Sequence, residues 1–228
     1  MKQDEKQIIY AAIPVLLIDV VIVAIKWIEW HFQLSFSDYG ILPRDFRGLK
    51  GIVFSPFIHH DFNHLVNNLL TFTVLGWALR FFYKELFWKV LLLSVLMVGL
   101  WTWISAREAY HIGLSGVLYS VFGFLLLSGF IRKNIPLIAI SFFVVLMYGS
   151  MMWGILPVKQ EISWESHFWG FIAGAILAFY FRNTGGVPQK KYSWELEEEN
   201  ENKDENPYWE IEQEEFSPYE KPWRSNKS

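Results

Sequence analysis

Three short stretches of this chain concentrate side chains able to do acyl-transfer chemistry. HHDFNHLVNN, residues 59 to 68, packs three histidines and three asparagines into ten positions and runs straight into the apolar LLTFTVLGWAL. HIGLSGVLYSVFGF sets Ser115 between Gly113 and Gly116, and SHFWGFIAGAILAF puts His167 just ahead of Gly170 and Gly174. Serine is a poor nucleophile until a base removes its proton, and neutral imidazole is the side chain best suited to do so near neutral pH. Ser115 and His167 are therefore candidate nucleophile and general base. Small residues around Ser115 let a backbone approach closely, and the free N–H groups of a helix start point at any developing negative charge. Gly170 and Gly174 form a G-x-x-x-G pair, which lets a membrane helix pack tightly on its neighbour.

The elements that must position these residues read as membrane helices. With 228 residues, 53% hydrophobic, 18% aromatic and only 19% charged, the chain has the balance of one small integral membrane domain, not that of a soluble globule. Six apolar runs, about 8 to 28, 64 to 83, 86 to 105, 115 to 131, 135 to 157 and 166 to 182, have the length of spans. All are expected to be helical, because lipid-exposed strands leave backbone groups unsatisfied and the alternation of a membrane barrel is absent. The stretch of about 35 residues between the first two runs is aromatic-rich and fits an element lying at the interface. The first run is too long for a signal-peptide core and lacks a clear cleavage site, so it is expected to be retained. No cysteine is present, which excludes disulfides and thiolate metal sites.

Basic residues give an orientation. Lys2 and Lys6, Arg80, Lys84 and Lys89, Arg132 and Lys133, and Arg182, Lys190 and Lys191 all fall on one side of a six-span chain, which the positive-inside rule makes cytoplasmic. Depth then follows from the arginines that end spans two, four and six. Ser115 stands 17 residues from Arg132, His64 16 from Arg80 and His167 15 from Arg182. At about 1.5 Å per residue these are heights of roughly 26, 24 and 22 Å, just below the outer edge of a core about 30 Å thick. Three polar side chains on three helices thus share one level, although height says nothing of distance in the plane.

His64 and Asn68 are spaced i, i+4, on one face of the second span, His64 at the serine's depth and Asn68 one turn deeper. They can supply donors to an oxyanion, each worth roughly 2.7 to 4 kcal/mol at a comparable site. His59 lies near the mouth and can brace the loop or the site. Each residue also has a purely structural reading: Ser115 can bond back to its own helix, and His64, Asn68 and His167 can tie helices together. Zinc binding by His59, His60 and His64 is disfavoured, since the H-E-x-x-H pattern is lacking and a helix would not converge all three; no metal or cofactor is expected. Asp19, an acid inside the first span, is expected to face the bundle and find a structural partner.

On these residues the chain resembles the rhomboid family of intramembrane serine proteases. HHDFNHLVNN is similar to the family's H-x-x-x-N element through His64 and Asn68, GLSG to its nucleophile motif through Ser115, and HFWGFIAG to its histidine helix through His167, Gly170 and Gly174. The order along the chain fits, and the resemblance covers about residues 8 to 183. It implies a Ser115/His167 dyad without an acidic third member and an oxyanion hole from the side chains of His64 and Asn68 and the backbone N–H of Ser115. It also implies that Tyr119 packs on the His167 ring. The first loop departs from the family pattern, carrying GLKG near the place where many members have a Trp-Arg pair.

The expected fold is thus an all-α membrane protein, a six-transmembrane-helix rhomboid-like bundle with an interfacial first loop, over residues 1–185. Residues 186–228 form an acidic tail with few aliphatics, expected to be disordered and cytoplasmic, whose Trp, Tyr and Pro residues can make a partner-docking motif. The expected activity is endoproteolysis of transmembrane segments near the outer interface. Its partners would be transmembrane protein substrates and the lipid bilayer, not nucleic acid, in a bacterial plasma membrane with both termini cytoplasmic. A noncatalytic relative that binds membrane clients is the alternative. A small transporter has less support, since paired broken helices and repeated halves are missing.

Overall fold

The computed structural model describes residues 3–157 and 163–186, so the acidic tail from residue 187 onward lies outside the described residues. The chain forms α1 (Gln3–His31), a one-turn helix α2 (Gly51–Phe54), α3 (Phe62–Phe82), α4 (Phe87–Ser105), α5 (Ser115–Arg132), α6 (Ile135–Tyr148) and α7 (Trp164–Tyr180). Among the described residues there is no strand, only an isolated antiparallel bridge between Ile41 and His111. The architecture is the all-α bundle that the composition calls for.

Among the described residues five helical segments are long and apolar enough to cross a membrane: Glu5–His31, Phe62–Phe82, Phe87–Ser105, Ser115–Arg132 and Ile135–Ile155. The fifth is not one uniform helix. It is α-helical to Tyr148 and tightens to a 3₁₀ turn over Gly149–Ile155, where two glycines weaken the α preference. The run read as the sixth span forms α7, whose 17 residues extend about 25 Å. It is shorter than the other spans and lies against the most enclosed helix of the bundle.

That helix is α5. Leu118, Val121, Phe122, Phe124 and Leu125 on it are all essentially inaccessible, and they join Phe72, Leu75 and Leu79 of α3 and Leu177 and Ala178 of α7 in one core. Outward-facing positions of α1, α4 and α6 carry exposed Leu, Ile, Val, Phe and Trp, as lipid-facing surfaces do. Small and polar residues mediate the inner contacts: Ser94 of α4 and Ser120 of α5 share a buried hydrogen bond of 2.7 Å, and Ser141 of α6 donates to the Leu125 carbonyl at 3.0 Å. Such ties suit a bundle in which lipid is as apolar as the helix faces.

The contact between α5 and α7 is made by glycine. A Cβ on Gly170 would run into the carbonyl oxygen of Gly116 and crowd Tyr119, and one on Gly174 would strike the Ser120 carbonyl. At the far end, Arg132 at the last turn of α5 donates to the carbonyls of Phe181, Thr184 and Gly185, closing off α7. Helix α1 stands apart from this centre and packs on α3. Asp19, 8% exposed, accepts from the Thr73 hydroxyl at 2.8 Å across that contact.

The first loop folds back onto α4 at the site end. Arg44 donates to the Ala106 carbonyl at 2.6 Å, Trp103 donates its indole N–H to the Asp45 carbonyl at 2.9 Å, and Gly99 leaves room for Ile52.

The packing predicts that Gly170→Val destabilises the fold at or beyond the upper end of the usual overpacking range, about 3 kcal/mol. The backbone carbonyl it meets cannot swing away as a side chain would. Equilibrium unfolding in detergent checks this, with Gly149→Ala, which meets only ordinary contacts, expected to behave as native.

Candidate active site

Ser115 is the first residue of α5 and His167 sits in the first turn of α7. The glycine-mediated contact between these helices brings the two side chains together: His167 Nε2 and Ser115 Oγ are 2.8 Å apart. The other ring nitrogen, Nδ1, lies 3.0 Å from the Gly154 carbonyl oxygen. A carbonyl can only accept, so Nδ1 carries the proton and Nε2 turns its lone pair to the serine hydroxyl. The ring is held flat against Tyr119, with centroids 4.2 Å apart and planes 12° from parallel. The Tyr119 hydroxyl donates to the Met151 carbonyl at 2.7 Å. The 3₁₀ turn after α6 thus anchors both aromatic rings through backbone oxygens.

His64 and Asn68 come from the start of α3. Asp61 caps that helix, accepting the His64 N–H at 2.7 Å, and its carboxyl is held below the usual range chiefly by that bond. Both side chains converge on Gly113. This residue has φ +110°, a conformation that favours glycine, and a Cβ there would collide with the His64 ring and lie 3.6 Å from Asn68 Nδ2. The Asn68 amide nitrogen is buried without a hydrogen-bond partner, a costly arrangement unless something else accepts from it. Donors therefore line the approach to the serine: the Asn68 amide, the His64 ring and the N–H groups of the first turn of α5, which have no helical carbonyl to meet.

His59 stands in the loop just before α3, 1% exposed. Its Nε2 accepts the Leu114 N–H at 3.4 Å, and its ring meets that of His64 edge-on at 5.1 Å. Burial, then the neighbouring His64, pushes its pKa down to about 3. His60 points away, exposed beside Asp61. Among the described residues no group of three His, Cys, Asp or Glu could hold a metal ion.

Residue types alone did not reveal two further features. Gly154 contributes only its carbonyl and the absence of a side chain; a Cβ there would run into the Tyr119 hydroxyl. His111, 3% exposed, donates to the Arg107 carbonyl at 3.0 Å and meets Ser163 Oγ at 2.5 Å. Ser163 contacts Ser166, which accepts from Thr102. This chain pins the start of α7 to the loop ahead of α5, and the signal for it lay in HIGLSG, four residues before the serine. A cavity of about 20 Å³, lined in part by Ser55, His111, Gly113 and Ser166, lies beside Ser115, with room for about one water molecule.

The buried His59 gives a pH dependence. Its folded pKa of about 3 lies below the ordinary 6.5, so below pH 6.5 the unfolded chain binds the extra proton and the folded chain resists it. Stability is fully present above about pH 6.5 and falls as the pH drops towards 3. Melting temperatures measured from pH 7.5 to 4 should show this decline, and His59→Asn should lessen it while leaving the part that His111, also lowered by burial, contributes.

The family model described as Rhomboid domain matches residues 47–184 of the chain, from the first loop to just past α7. Uncharacterized proteins of Mycobacterium bovis and Mycobacterium tuberculosis are each 32% identical to it over 163 residues, covering 67% of this chain and 65% of theirs. An uncharacterized protein of Mycobacterium leprae is 28% identical over 177 residues, covering 73% of this chain and 68% of its own. The chain spans a little under two thirds of the length of the first two of these relatives.

Proposed function

Because this chain belongs to the rhomboid family of integral membrane proteins, as its match over residues 47–184 shows, we propose that it is an intramembrane serine endopeptidase. The observation that carries the reading is the 2.8 Å contact of Ser115 Oγ with a His167 ring whose other nitrogen donates to Gly154. That pairing fixes the tautomer a general base requires.

In this reading a transmembrane segment of another protein unwinds near the outer interface and presents one peptide carbonyl to Ser115. Oγ attacks the carbonyl carbon while His167 Nε2 takes the hydroxyl proton. The negative charge that forms on the carbonyl oxygen is met by Asn68 Nδ2, the His64 ring and the Ser115 N–H. Such preorganised donors act where charge develops and need no reorganisation at that moment. As the intermediate collapses, the C–N bond breaks and His167 returns its proton to the leaving amine. Water, deprotonated by the same imidazole, then releases the acyl-enzyme. Tyr119 and Gly154 keep the ring in place through both halves. Substrates with small or helix-breaking residues near the cut are preferred, because those segments unwind at lower cost.

The orientation set by the basic residues puts the site end of the bundle towards the outer leaflet and both termini in the cytoplasm. Residues 1–185 make up the catalytic membrane domain, and a bacterial plasma membrane is the setting that fits.

Purified protein in liposomes should cut a model single-span substrate, and Ser115→Ala and His167→Ala should each abolish the cut while staying folded. A fluorophosphonate should label the native chain and not Ser115→Ala. Asn68→Ala should lower kcat by about 10²- to 10³-fold, the loss typical of one oxyanion donor. A native protein that neither cuts nor labels would favour the client-binding reading instead.

A further inference from the structure

The family match begins at residue 47, so all of α1 lies outside it. Helix α1 nevertheless reaches the site. Lys26, near its end, directs its ammonium to three acceptors: the His59 carbonyl at 2.7 Å, the His60 carbonyl at 3.1 Å and Glu29 Oε2 at 3.0 Å. An ammonium has three donors, and all are engaged. The ion pair is largely shielded, with side chains 12% and 7% exposed. The second oxygen of Glu29 accepts the Phe36 N–H at 2.7 Å and so closes the turn leaving α1.

The two peptides that Lys26 grips directly precede Asp61, the cap of α3. One of them belongs to His59, whose ring accepts from Leu114, the residue before Ser115, and touches the His64 ring. A continuous path therefore runs from α1 through Lys26 and His59 to both sides of the oxyanion region. Accepting from Leu114 requires a neutral imidazole, and the ammonium nearby adds to burial in keeping it so.

Among the described residues the Asp19–Thr73 bond at 2.8 Å and a bond of 3.2 Å from the Trp77 indole to the Ile8 carbonyl also fasten α1 to α3. Neither touches a site residue. Fastening α1 and positioning the site are therefore separable.

We propose that Lys26, supported by Glu29, is a positioning residue for the oxyanion side of the site, setting His59 and through it His64 and the peptide ahead of Ser115. The proposal rests on the protease reading. Displacement of a site group by about 1 Å can cost on the order of a hundredfold in rate without weakening substrate capture.

The test uses the full chain in liposomes with the model substrate, comparing Lys26→Met, Lys26→Arg and Thr73→Val. Lys26→Met should lower kcat about ten- to a hundredfold with KM within about twofold. Lys26→Arg, which keeps charge and donors, should recover most of the rate. Thr73→Val should lower the melting temperature and leave kcat within about twofold of native. In detergent, the ¹⁵N imidazole resonances of His59 should move in Lys26→Met and stay in Thr73→Val. Should Lys26→Met not fold, Glu29→Gln, which loosens the ion pair, should show a smaller loss of kcat at unchanged KM. The proposal is overturned if Lys26→Met keeps native kcat, if Lys26→Met and Thr73→Val lose rate equally, or if arginine does no better than methionine. A native chain that cuts nothing would remove the protease reading alone. The resonances then decide the link, and a His59 signal indifferent to Lys26 would end it.

Discussion

The close approach of α5 and α7 is the constraint on which the rest of the structure depends. Their backbones meet because Gly116, Gly170 and Gly174 present no side chains at the crossing. In lipid no hydrophobic force drives helices together, so contact must come from packing and from polar groups that find partners across the gap. The same crossing delivers Ser115 and His167 from the first turns of their helices to hydrogen-bonding distance. Fold and site geometry therefore share one origin. A change that spreads the helices loosens the core and separates the pair in the same movement.

Around that crossing the remaining elements act as braces. The 3₁₀ turn supplies carbonyls to Tyr119 and His167, and the His111–Ser163–Ser166–Thr102 chain holds the entry of α7. The loop before α3 is held by Asp61 at the helix start and by Lys26 from α1. All of these lie at one end of the bundle. At the other end Arg132 caps α7 and lies 5.4 Å over the Tyr83 ring. Among the described residues the loop-to-helix bonds are thus concentrated at the site end.

How much of this was legible in the sequence depends on which physical quantity was being read. Apolar run length captures helices well, because a bilayer of fixed thickness demands it. The all-α bundle and the family follow from such runs and from three motifs. Counting residues from Arg80, Arg132 and Arg182 places His64, Ser115 and His167 at one height, but residue counts along separate helices carry no in-plane distance. The 2.8 Å contact could come only from packing. Backbone acceptors are harder still: Gly154 matters for a carbonyl that every residue type possesses, and the 3₁₀ turn that presents it lies within a run that reads as plain span. Lys26 is similar. A lysine near the end of a span, with a glutamate three residues on, looks like an interface anchor, and two of its three acceptors, peptide carbonyls 33 and 34 residues away, have no signature in residue type.

The acceptor behind His167 is a neutral peptide oxygen, where a Ser-His-Asp triad places a carboxylate. A dipole offsets the charge of an imidazolium less than an anion does, so proton transfer from Ser115 meets a higher barrier in the proposed reaction. If the proposed reaction is slowed in this way, a helix segment would have time to rewind and depart before being cut. Selection would then act on dwell time: a segment that stays open outlasts the barrier, and one that refolds quickly escapes even if it entered as readily.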